Sequence, residues 1–173
     1  TNNDVDTAAS GIFFAPVGGG SITTSGDMQL TTDGSVGIYA QSGGAVAAGG
    51  ALTIQAGDQV DIRHESRQGT AATVQAAGNL NITAGTSISG APGSLLGAGA
   101  TLSLTAAGPN GTIGVDRLTG VDIVIDSIGA ASVEHAEASN DFTATSSSFR
   151  TGLNSIITDG DIVVNSPGAV LLA

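Results

Sequence analysis

Residues Gly50-Ala-Leu-Thr-Ile-Gln-Ala-Gly-Asp-Gln-Val-Asp-Ile62 carry apolar side chains at Leu52 and Ile54 and again at Val60 and Ile62, with Gly57-Asp58 between the pairs. A spacing of two is that of an extended strand with one face buried, because successive side chains point to opposite sides. The same double pair recurs. Met28/Leu30 precede Val36/Ile38, Leu80/Ile82 precede Ile88, and Ile162/Val164 precede Val170/Leu172.

Working outward from Leu52, the leading positions fall at Met28, Leu52, Leu80, Leu102, Ile123, Phe142 and Ile162, hence at steps of 24, 28, 22, 21, 19 and 20. A near-constant step predicts turns stacked along an axis, whereas a β-sandwich of similar strands has no reason to repeat one motif. Corners are marked by Gly26-Asp27, Gly50-Ala51, Gly78-Asn79, Gly99-Ala100-Thr101 and Gly160-Asp161, residue types that accept sharp backbone turns. A helix is excluded, since apolar residues do not fall at i, i+3 and i+4 and glycines interrupt every short segment. Ile22, Val46, Val74 and Leu95/Leu96 trace a third, fainter strand.

The expected fold is therefore all-β, a parallel β-helix of about eight coils of roughly 19–28 residues, with 1–173 a single β-helical segment of a longer repeat protein. Both termini read as cuts through a longer chain. Two stretches fit worst and are expected to be loop or irregular coil: residues 63–69, inside the longest step, and residues 130–149, where Ala144 stands in the position that should partner Phe142.

Composition narrows the function. Fifteen acids face four basic residues, all arginine, for a net charge of −11; such a chain cannot assemble the basic stripe that nucleic acid requires. Cysteine is absent, so there are no disulfides or thiolate metal sites. Aromatics make up only 3% of the residues, and no apolar run approaches the roughly 20 residues of a membrane-spanning helix.

Gly50 to Ile62, quoted above, and Gly78-Asn-Leu-Asn-Ile-Thr-Ala-Gly-Thr-Ser-Ile88 resemble the repeats of filamentous haemagglutinin-type exoproteins, the large adhesins of two-partner secretion. Gly111-Thr-Ile-Gly-Val-Asp-Arg-Leu118, followed by Val121, is similar to a segment that recurs in the largest of them. The resemblance covers residues 20–129 and 150–173. It implies a right-handed parallel β-helix, export through a partner outer-membrane secretion pore, and a secreted or bacterial cell-surface location. It further implies a structural shaft or adhesion segment, whose partner would be a glycan or protein on a host or neighbouring cell. The same shaft would suit the stalk of a contact-dependent inhibition effector. Gly108-Pro-Asn-Gly111 shares three residues with that family's Asn-Pro-Asn-Gly type motif, but it reads as a tight turn.

Parallel β-helices also include polysaccharide lyases and hydrolases, so carboxylate pairs must be weighed. Asp58 with Asp61 and Asp122 with Asp126 have the required chemistry, since inverting hydrolysis needs two carboxyl groups about 6.5–9.5 Å apart. Each lies at a corner or on the outward parity of its strand, where acids ordinarily face water. His64 and His135 are 71 residues apart and make no metal signature, and Asp159-Gly160-Asp161 lacks the remaining ligands of a calcium loop. Gly18-Gly-Gly20 lacks the lysine and the helix of a phosphate loop. The expectation is a non-enzymatic chain with no cofactor and no metal. The most polar segment, carrying Arg63, His64, Glu65 and Arg67, is the candidate surface contact loop. Open strand edges at the ends of a solenoid add end-to-end self-association as a further reading.

Overall fold

Glycine and small polar residues turn this chain at short intervals, and Val, Ile, Leu and Thr between the turns favour extended backbone. The computed structural model describes residues 3–7, 11–14, 20–40, 45–64, 72–152 and 156–172, and among them every regular element is a strand paired in parallel. The molecule is a parallel β-helix. Its first face stacks Asn3–Thr7, Met28–Thr32, Leu52–Ala56, Leu80–Ala84, Thr101–Ala106, Asp122–Ser127, Phe142–Thr145 and Ile162–Asn165 in sequence order.

The register of that face is the register of the repeat. Met28 lies opposite Leu52, Leu52 opposite Leu80, and the column continues through Leu102, Ile123 and Phe142 to Ile162. Corners stack as strictly as strands. The amide of Gly50 donates to the carbonyl of Gly26, Gly78 to Gly50, Ala100 to Gly78, Val121 to Ala100, Asn140 to Val121 and Gly160 to Asn140, at 2.8 to 3.2 Å. Backbone polar groups are thus satisfied even where the chain changes direction.

The other two faces begin separately, merge through two coils and separate again after Thr151. Gly11–Phe14, Ser35–Ala40, Gln59–His64 and Ser87–Gly90 form the second face; Ser21–Thr24, Ala45–Ala48, Thr73–Ala76 and Leu95–Ala98 form the third. The connection between them varies from coil to coil. Four residues suffice after Gly90, closed by the Ser94 amide donating to the Ala91 carbonyl, with Gly93 at φ +85°, a left-handed angle that suits glycine. In the next coil no loop remains, and Thr112–Gly120 runs through both faces as one strand of nine residues, followed in the same manner by Ala130–Ala138. The corner survives as a break in alternation: Ile113 and Val115 are buried, then Leu118, with Asp116 and Arg117 between. Arg117 pairs with His135, while Asp116 and Glu134 fall at the bend, outside the pairing.

Leucine, isoleucine, valine and alanine fill the interior in columns, so each coil packs on the one before and the one after. Residues 130–149, expected to be irregular, belong to this regular stack. Phe142 is fully buried between Ile123 and Ile162, and Ala144 lies between Ile125 and Val164. The volume that Ala144 lacks is supplied by Phe149, whose ring meets that of Phe142, so total core volume is kept while individual positions vary. Of residues 63–69, Arg63 and His64 are the end of the strand Gln59–His64 and not a loop; Glu65 to Gly69 lie outside the described residues. The solenoid has about six turns, slightly fewer than the eight coils expected.

Candidate functional site

Outward positions of the second face form a column with its own composition. The register aligns Phe13, Gly37, Asp61, Ser89, Gly114, Ser132 and Arg150. Large groups stand at its ends and only small or short side chains between. Beside it, Tyr39 is in register with Arg63.

The upper end is a cluster of four side chains over one glycine. The rings of Phe13 and Tyr39 stack with centroids 6.1 Å apart and planes 19° from parallel. A Cβ on Gly37 would approach Phe13 Cδ1 to 2.7 Å and Tyr39 Cζ to 2.8 Å, so both rings close over the bare backbone there. The Arg63 guanidinium lies 5.2 Å from the centroid of the Tyr39 ring, a cation–π distance. Its Nη2 donates to the Tyr39 hydroxyl at 3.5 Å and forms an ion pair with Asp61. That hydrogen bond first, and then the charge of Asp61, hold the guanidinium pKa above its ordinary value.

Asp61 has the outward parity expected of a solvated acid, yet it is only 9% exposed. Arg63 pairs with it and Ser89 Oγ donates to its Oδ1 at 3.1 Å. Below Ser89 the column opens into a trough of about 490 Å³ lined by Ser87, Ser89, Thr112, Gly114, Ser132 and Arg150. Ile88, Ile113, Ala130, Ala131 and Ser148 complete its lining.

The other sequence-level candidates are dispersed. Asp58 sits at a corner, where its carboxylate accepts from Ser35 Oγ at 3.0 Å and Thr86 Oγ1 at 2.9 Å and so ties its own coil to both neighbours. Asp122 accepts from the side-chain amide of Asn140 at 2.7 Å, whereas Asp126 is exposed on the first face between Thr105 and Thr145. Among the described residues no three His, Cys, Asp or Glu converge. His135 lies 2.7 Å from Glu137, and that hydrogen bond draws the carboxyl pKa below its usual 4.5.

Of the predicted contact loop, Arg63 is placed in the aromatic cluster. The His64 side chain, Glu65 and Arg67 lie outside the described residues. Phe13 and Tyr39 went unnoticed in the sequence, although the 24-residue step that aligns Val36 with Val60 also carries Tyr39 onto Arg63. Applying that step to outward as well as inward positions finds the cluster.

Fold and face together define a parallel β-helix that bears an aromatic and arginine cluster beside a trough lined by hydroxyl and apolar side chains. Compared with family models, curated proteins and solved structures, the chain finds no match in any of the three.

Proposed function

We propose that this chain is a shaft segment of a large secreted bacterial surface adhesin. The observation that carries the reading is the unbroken register from Met28 to Ile162, with no strand of that face displaced. Parallel ladder hydrogen bonds run from coil to coil along the axis, so a load applied to one end is borne by every coil in series. The acids support the same work. Asp58 and Asp122 join neighbouring coils through hydrogen bonds.

The charge of −11 suits a rod held away from other anionic surfaces and from its own copies. An antibody raised against the chain should label intact source cells or the culture supernatant; label confined to the cell interior would overturn the reading. Incubation with acidic and neutral polysaccharides should release no products. Turnover abolished by Asp58→Ala or Arg63→Ala would replace the shaft with an enzyme.

A further inference from the structure

The geometry points to the column from Phe13 to Arg150 as a binding track for a neutral oligosaccharide, with the exposed Phe13 ring, backed by Tyr39, as its stacking platform. This deepens the adhesin reading only in naming the class of ligand; the track itself rests on the contacts described above.

Five aromatic residues occur in the whole chain. Phe142 and Phe149 are buried, Phe14 packs against the core, and the remaining two stack on each other outside it. Phe13 is 60% exposed. An aromatic ring left in water forfeits the free energy its burial would contribute, and a chain so sparing of aromatics keeps this one at the surface, where a ligand can cover it. Gly37 matters to the same end, because any side chain there would lift the rings off the sheet.

The chemistry around the rings selects the ligand. Arg63 is neutralised by Asp61, so the cluster offers donors and acceptors without net charge. Beyond it, Ser87 and Thr112 stand in register on adjacent coils about 4.8 Å apart, Ser89 and Ser132 flank Gly114, and Arg150 supplies planar donors at the far end. A pyranose presents apolar C–H groups on its faces and hydroxyls around its edge, which matches an exposed ring followed by a trough of mixed hydroxyl and apolar lining. Polyanionic glycans are disfavoured by the overall charge of −11. A peptide strand is disfavoured because the track is a sheet face, whose backbone groups are spent on the ladder, and not an open edge.

The chain contains one tyrosine and no tryptophan, so its intrinsic tyrosine fluorescence reports on Tyr39 alone. The test titrates the protein with cellohexaose, laminarihexaose, mannohexaose and chitohexaose, with a heparin hexasaccharide as the anionic comparison. At least one neutral hexasaccharide should change the signal saturably with a millimolar Kd, and Phe13→Ala should weaken it about tenfold. Phe13→Leu keeps an apolar cover but removes the aromatic face and should lose affinity as well; full binding by that variant would overturn the platform. Arg150→Ala should weaken the hexasaccharide more than the corresponding disaccharide. No saturable change with any neutral sugar, or binding of the heparin fragment alone, would also overturn the proposal while leaving the shaft reading untouched. Cleavage of a bound hexasaccharide would instead overturn the shaft reading.

Discussion

Phe142 and Phe149 meet inside the rod from two different walls, with ring centroids 5.9 Å apart and planes tilted by 56°. One ring belongs to the first face and the other to the second, so the pair braces the interior where Ala144 leaves room. Phe142→Ala should cost about 3–5 kcal/mol, as expected for an emptied aromatic site. Urea denaturation checks this; a loss no larger than that of an exposed Phe→Ala change would contradict the brace.

Parity along a strand gives a sharper test of the interior. Ile54 is fully buried between Leu30 and Ile82, whereas its neighbour Thr53 points outward. Ile54→Asp should unfold the protein or lower its Tm steeply, because an unpaired buried charge costs several kcal/mol. Thr53→Asp should change the Tm little. Equal effects from the two variants would mean that the strand faces are reversed.

Two glycines, both at corners, should respond oppositely to the same methyl group. A Cβ on Gly85 would fall on the carbonyl oxygen of Gly57 in the coil above, whereas nothing lies within 4 Å of one on Gly26. Gly85→Ala should cost about 1–3 kcal/mol through forced separation of the corners. Gly26→Ala should be neutral or stabilising by about 0.4–1 kcal/mol, since it restricts only the unfolded chain. Thermal melts of the two variants decide it.

Glu137 makes stability depend on pH in a defined direction. The His135 hydrogen bond lowers its carboxyl pKa in the folded state below 4.5. Its contribution is therefore present above the unfolded carboxylate pKa and disappears as pH falls through the lower folded value. The Tm difference between the parent and Glu137→Gln should shrink to nothing in that acid window. A difference that stays constant to below pH 3 would remove the carboxylate from the explanation.

Period two and a step near 22 residues were enough to place all seven leading positions of the first face in register, because side chains in a stacked column must alternate and recur together. The same signal left Leu95 and Leu96 undivided. Leu96 continues the buried column from Val74, whereas Leu95 pairs with Thr73 and Arg117 on the outward parity. It failed at Ala144, where a small residue looks like a missing partner until the two phenylalanines are seen to share the space. The vanished loop at Asp116 was equally hidden, since a corner reduced to two residues leaves no glycine or proline as a sign. The site was the least legible part. Arg63 stood out as a charge in a polar run, but Phe13 and Tyr39 become neighbours only after the chain has wound once around the axis.

Because the columns join each coil only to the coil before and the coil after, this architecture can grow by whole units. Duplicating the gene segment for one complete coil reproduces every contact that coil already makes, and the axis lengthens by about 4.8 Å. Length is thus a heritable quantity that changes in fixed increments, at no cost to the core and independently of whatever the outward face has come to recognise.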